Sequence, residues 1–253
     1  MKRIMYPLAM LMAAVALLGS SVPLRASETD TRIESSFMKT YVYRTFLKED
    51  HIKIDSKDGA VTLTGDVNGE THKVLAKLTA ESMSGVTTVD NRIEIKGDNP
   101  IENSDAWVNM KVKTVLLFHR NVNALKTDVD VKDGIVTLKG EAADPAQKNL
   151  TAEYTKDIVG VKDVKNDMTV SLKPEKPVET MSETMDDASI TAQVKMTLLL
   201  HRSTSIIDTK VTTTDGTVTL TGKTRSDAEK EQASKLVKAV RGVKSVVNNM
   251  TIE

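Results

Sequence analysis

The stretch DGAVTLTG at residues 58–65 returns as DGIVTLKG at 133–140 and as DGTVTLTG at 215–222. An Asp-Gly pair between alternating runs marks a two-residue type I′ hairpin, because both central positions of that turn need positive φ. The turn dictates the pairing: Lys57 opposite Ala60, Ser56 opposite Val61, Asp55 opposite Thr62 and Ile54 opposite Leu63. This register gathers Ile54, Val61 and Leu63 on one face and Asp55, Thr62 and Thr64 on the other. Val129, Val131, Val136 and Leu138 repeat the pattern in the second copy, and Val211, Val218 and Leu220 in the third. A slip of one residue would bury threonines and expose valines, so the pattern specifies its own register.

Outward from the hairpins, the Asp-Gly pairs (Asp58-Gly59, Asp133-Gly134, Asp215-Gly216) are spaced by 75 and 82 residues. The pairs Gly85-Val86, Gly160-Val161 and Gly242-Val243 repeat the same spacings, as do Asn91, Asn166 and Asn248. From turn glycine to later glycine the distance is 26 residues in every copy, so length varies only between copies. Such repetition reads as three tandem modules, over 30–96, 104–173 and 186–253. A short linker, 97–103, carries Gly97 and Pro100. The second, 174–185, lies in the Pro- and Glu-rich KPEKPVETMSETMD and is expected to be flexible.

Each module opens on a helical pattern: Ile33, Phe37 and Tyr41; then Val108, Val112, Val115 and Leu116; then Ile190, Val194 and Leu198. Ser104 or Asp105, and Asp186 or Asp187, suit the N-caps. After Gly65, Gly140 and Gly222 a second helix is expected. Ser226 and Glu229 form a capping box, and Asp144 caps with Pro145 at the first helical position. Its apolar positions are Leu75, Leu78 and Met83; Leu150, Tyr154 and Ile158; and Leu236, Val237 and Val240. Gly85, Gly160 and Gly242 suit helix C-caps, and one last alternating strand follows, as at 161–170. The expected fold is α+β: three small α-β-β-α-β modules, each with two helices on one face of a three-stranded sheet.

Composition excludes several function classes. The 253 residues carry 35 basic and 35 acidic side chains, without the basic excess of a nucleic-acid binder. Aromatics are 3%, too few for base-stacking platforms, and with no cysteine there is no disulfide, thiolate chemistry or thiol for lipid attachment. At the N-terminus Lys2 and Arg3 precede an apolar run from Ile4 to Leu18, then GSSVPLRAS. This is the layout of a signal peptide over 1–26, cleaved near Ala26, and the run is shorter than the ~20 residues that span a membrane. Export to a periplasm is the expectation. Cleavage there leaves 32 basic against 35 acidic residues, a net charge of −3, once Lys2, Arg3 and Arg25 are gone.

No catalytic constellation or cofactor motif emerges. One carboxylate per turn falls short of a calcium loop, four scattered histidines make no zinc spacing, and no glycine loop with lysine follows a strand. The recurring asparagines fit a side-chain amide that closes a backbone bond. His119-Arg120 and His201-Arg202 follow the first helix in copies two and three. They suit either a cationic helix end or a phosphate-facing pair. Lys235, Lys238 and Arg241 form a basic stripe on the last helix, either a solvated face or a contact for anionic lipid.

The order of elements, the DGxVTLxG hairpin, the Gly-Val pair 26 residues on and the last strand together resemble the BON domain family, three times over. A leader without a lipid-attachment cysteine, followed by tandem copies, resembles that family's osmotically inducible periplasmic group, which usually carries two domains where this chain carries three. The resemblance implies a non-enzymatic envelope protein that binds phospholipid surfaces under osmotic stress. Its alternative implication is a chaperone for unfolded exported proteins.

Overall fold

The computed structural model describes residues 22–97, 100–171, 185–204 and 209–253. Most of the expected leader and nearly all of the second linker lie outside the described residues. At each Asp-Gly pair the chain turns as expected. The φ angles are 53°, 55° and 51° at Asp58, Asp133 and Asp215, and 78°, 80° and 79° at Gly59, Gly134 and Gly216. Strands β1 (His51–Lys57) and β2 (Ala60–Val67) pair antiparallel, Lys57 opposite Ala60 through Ile54 opposite Leu63.

A carboxylate from the preceding helix holds every turn. Helices α1 (Val22–Phe37), α3 (Asp105–Phe118) and α5 (Asp187–Leu200) open the three modules. Asp105 accepts the N–H groups of Asp133 and Gly134, both at 2.8 Å. Asp187 accepts those of Asp215 and Gly216 at 2.8 and 2.9 Å, and Asp30 those of Asp58 and Gly59 at 2.8 and 3.0 Å. Backbone N–H groups without a strand partner gain a charge-assisted acceptor in this way. It also resolves the caps. Ser104 and Asp186 are the N-caps, accepting from the N–H of Trp107 and Ser189, which leaves Asp105 and Asp187 for the turns. Asp30 takes the Ser56 hydroxyl as well, at 2.7 Å. The Gly59 N–H and that hydroxyl lead in holding its carboxyl below the usual carboxylate value.

After each hairpin a helix crosses over and the chain returns parallel to the hairpin's second strand, which is thus central. The crossovers are α2 (Glu70–Glu81), α4 (Pro145–Lys156) and α6 (Asp227–Ala239). Asp144 and Ser226 cap α4 and α6 as expected, with Pro145 at the first position of α4, while in the first module the strand continues past Gly65 to Val67 before α2 begins. A Cβ on Gly65, at φ 107°, would sit 1.8 Å from the His51 carbonyl oxygen, so no other residue fits there. The returning strand is also broken in two. In the first module it forms β3 (Thr88–Asn91) and β4 (Glu94–Ile95), both parallel to β2. Asn91, Asn166 and Asn248 mark the break. Each donates its amide to a carbonyl on the crossover helix (Lys73, Lys148, Lys230) at 2.7–3.0 Å. Each accepts from the N–H two residues on.

The other modules follow the same plan. The second uses β5 (Thr127–Lys132), β6 (Ile135–Ala142), β7 (Asp163–Asn166) and β8 (Thr169–Val170). The third uses β9 (Lys210–Thr214), β10 (Thr217–Thr221), β11 (Lys223–Thr224), β12 (Ser245–Asn248) and β13 (Thr251–Ile252). One opening helix departs from expectation. It stops at Phe37, and Tyr41 lies beyond it, before a widened π turn at Tyr43–Leu47. The N–H groups of Tyr41 and Val42 are taken by Asp186 and Ser189 of the third module, at 2.8 and 3.0 Å.

Helix α5 ties the modules together. Ile190, Val194 and Leu198 enter the third module's core, while Ala192, Met196 and Leu200 join a core built by the first two modules. Apolar side chains on two faces of one helix explain how modules without metal or disulfide bury enough surface.

Replacing Asp105 or Asp187 by alanine is expected to cost about 1–2 kcal/mol in urea unfolding, and to speed amide exchange at Asp133-Gly134 or Asp215-Gly216 respectively. The depressed Asp30 carboxyl stabilises the fold above its ordinary value of 3.8, and that contribution is lost as pH falls through the folded value. Asp30→Asn should therefore remove one acid-sensitive component of unfolding below about pH 4.

Candidate functional site

A helix ends with carbonyls that have no partner within it. Helices α4 and α6 end at Lys156 and Ala239, and the chain then turns through Gly160 and Gly242, at φ 95° and 83°. Helices α3 and α5 instead release an extended residue: His119 has φ −81° and ψ 130°, and His201 φ −92° and ψ 133°. The two kinds of end meet across modules. His119 bridges to Val240 and His201 to Ile158, both antiparallel.

Four backbone hydrogen bonds make the seam. Arg120 N–H donates to Ala239 O at 3.0 Å and Arg241 N–H to Phe118 O at 2.9 Å. Arg202 N–H donates to Asp157 O at 2.8 Å and Val159 N–H to Leu200 O at 3.0 Å. Shifting each residue by the repeat of 82 converts one pair of bonds into the other, so modules two and three face each other about a pseudo-two-fold axis. Side chains follow the same symmetry. The Arg120 guanidinium donates to the carbonyls of Lys238 and Val240, at 2.8 and 2.9 Å, and of Val243. The Arg202 guanidinium donates to that of Lys156. Arg241 adds a bond from Nε to Leu117 O at 3.1 Å, and Ser203 donates its hydroxyl to Asp157.

Both histidines are interior, 0% and 2% exposed. The His119 ring stacks on Tyr154 at 3.9 Å, nearly parallel, and meets His201 edge-on at 5.8 Å. His201 donates Nδ1–H to Thr197 O at 2.7 Å. Burial, then the neighbouring His201, push His119 down to about 3, and burial also lowers His201. Both rings are therefore neutral near pH 7.

Above the seam, α4 and α6 leave a groove of about 270 Å³ lined by Leu150, Glu153, Tyr154, Gln232, Lys235 and Leu236. These too are symmetry mates, Tyr154 with Leu236 and Glu153 with Lys235. Lys235 is exposed and pairs with Glu231 at 3.0 Å, and Lys238 and Lys244 are exposed beyond it.

The structure therefore brings together most of the residues singled out by sequence, but divides their roles. His119 and His201 are buried, and Arg120, Arg202 and Arg241 spend their donors on carbonyls. Lys235 and Lys238 face solvent. Asp157 and Ser203 had no sequence signal, and Tyr154 was read only as an apolar position of the crossover helix. The recurrence of His-Arg in two copies and its absence from the first, where Arg44-Thr45 stands, was the readable sign of a pairing between those two. Among the described residues no group of three or more His, Cys, Asp or Glu could hold a metal ion.

Arg120→Ala is expected to destabilise the second and third modules together by about 2 kcal/mol in urea unfolding. Because the folded His119 value lies below the ordinary 6.5, its contribution is full above 6.5 and falls as pH drops from 6.5 toward 3. His119→Phe, which keeps the stack on Tyr154, should flatten that decline in unfolding curves taken between pH 7.5 and 5.

The model of a family described as BON domain matches residues 29–97, 104–171 and 186–253. The chain is 32% identical over 146 residues to osmotically-inducible protein Y of Escherichia coli (strain K12), covering 58% of this chain and 71% of that protein. It is 26% identical over 175 residues to outer membrane lipoprotein DolP of Haemophilus influenzae, covering 69% of this chain and 80% of that protein. Among solved structures, CdsD, a structural protein of the type III secretion system of Chlamydia trachomatis, aligns over 87% of this chain and 90% of its own. Its identity of 16% and TM-score of 0.24 carry no argument about this protein.

Proposed function

The chain belongs to the BON domain family, and on that premise we propose that it is a non-enzymatic protein of the bacterial envelope that docks peripherally on anionic phospholipid. In this reading it is exported to the periplasm by the leader over 1–26, and its three domains follow the bounds 30–96, 104–173 and 186–253. A relative named as an outer membrane lipoprotein and another named as osmotically inducible support a place at the membrane and a role in osmotic stress.

The observation that carries the reading is a division among the basic residues of the third module. Arg202 and Arg241 are consumed by the seam and Arg225 pairs with Glu229, whereas Lys235, Lys238 and Lys244 stand exposed at the C-terminal end of α6 and just beyond it. Lysine on a surface helix keeps a mobile charge for a lipid headgroup, and each adds on the order of 1 kcal/mol near an anionic membrane. Glu231 offsets part of the Lys235 charge. Among the described residues no helix is long and apolar enough to cross a membrane, so attachment through the lysines is peripheral.

Cosedimentation with phosphatidylglycerol vesicles tests this. Binding is expected at low salt and should weaken at high salt. The Lys235→Glu, Lys238→Glu double variant should lose roughly tenfold or more in affinity. Absence of binding at low salt, or binding unchanged by that variant, would refute the lipid reading.

A further inference from the structure

The turn that receives the partner strand in the second and third modules is built a third time in the first. Residues 82–86 repeat the bonding of 157–161 and 239–243. Met83 N–H donates to Ala80 O and Val86 N–H to Met83 O, as Ile158 N–H does to Thr155 O and Val161 N–H to Ile158 O. Gly85, at φ 93°, matches Gly160 and Gly242 at 95° and 83°. Yet among the described residues no strand is seated on it. Ser84 N–H corresponds to the donors Val159 and Arg241, and Ser82 C=O to the acceptors Asp157 and Ala239. Among the described residues neither Ser group has a hydrogen-bond partner. Ser84 is exposed, and the turn opens on a cleft of about 580 Å³ lined by Arg32, Lys39, Ser82, Ser84, Asp187 and Thr213.

The two filled copies show what such a turn accepts. Each takes an extended segment that leaves a helix, giving a carbonyl from its apolar residue, then a histidine, then an arginine N–H and guanidinium. Among the described residues no further segment of this kind is left to supply. Those at 118–120 and 200–202 are engaged in the seam, and the first module's counterpart, Arg44-Thr45, is wound into the π turn. One substitution also suits an arginine. The helix-end residue whose carbonyl receives the guanidinium is Lys156 or Lys238 in the filled copies, and it is Glu81 in the first module.

We propose that residues Ser82–Gly85 are a docking site for an extended, arginine-bearing segment of another polypeptide, bound as the seam binds its own. This goes beyond the lipid reading and does not depend on it.

The probe is a synthetic peptide of residues 198–204, Leu-Leu-Leu-His-Arg-Ser-Thr, titrated into the full chain and followed by amide NMR. The intact seam holds its own segments at high effective concentration, so the free peptide finds only the vacant turn. Shifts are expected at Ser82, Ser84 and Gly85, with the seam amides of Arg120, Val159, Arg202 and Arg241 unmoved. A peptide with alanine for arginine should bind at least tenfold more weakly. Ser84→Pro deletes the donor and should abolish the shifts. Ser84→Trp fills the exposed cleft while keeping the backbone N–H, and should weaken binding in a chain that melts as wild type does. The proposal is overturned if no shifts appear, if they centre elsewhere, or if folded Ser84→Pro or Ser84→Trp chains bind as wild type does.

Discussion

The carbonyls at the end of each crossover helix need hydrogen-bond donors, and how they are satisfied organises this molecule. A helix cannot satisfy its own last turn, and burying those oxygens without donors costs about 1–3 kcal/mol each. Here the donors for α4 and α6 come from another module. An extended backbone and a guanidinium arrive together, and because each module both gives and receives, the two lock about a pseudo-two-fold axis. Arginine suits this role better than lysine. Its charge is spread over a planar, weakly hydrated head, and at Arg120 the terminal Nη2 lies against the carbonyls of Lys238, Val240 and Val243.

The seam also explains how such small units hold together. Each has a thin sheet, two short helices and no staple. The side chains missing from each separate core are supplied by neighbours, with α5 contributing to two cores at once. The threefold carboxylate clamp fastens each hairpin to its own opening helix, so the units meet one another already in register. Neutral, buried His119 and His201 complete the contact with flat rings where a charged side chain could not be desolvated.

Much of the fold was legible because it is written in short-range chemistry. Asp-Gly required positive φ, and that alone set the strand register down to Ile54 opposite Leu63. The recurring asparagines were readable as backbone ties, though not their partners on the crossover helix. What sequence could not supply was long-range. Asp105 looks like any helix-capping acid until the hairpin is seen to fold over it. His119-Arg120 looks like a cationic helix end until the facing helix supplies carbonyls. The early end of α1 was hidden for the same reason, since Asp186 and Ser189 that take up its freed N–H groups lie about 145 residues away. Local pattern gives elements and register, whereas the use of a surface depends on what the fold lays against it.

For function, the consequence is a sorting of basic residues by what they already hold. Arginines in the seam are structural, and the exposed Lys235, Lys238 and Lys244 carry the proposed headgroup contact, with Glu231 offsetting part of the Lys235 charge. The central claim is that modules two and three form one unit rather than beads on a linker. Hydrogen exchange at the amides of Arg120, Val159, Arg202 and Arg241 tests it most directly, because these N–H groups bond only across the seam. The account predicts protection at all four comparable to that of the hairpin amides. Exchange at unprotected rates, with the hairpins still protected, would contradict it.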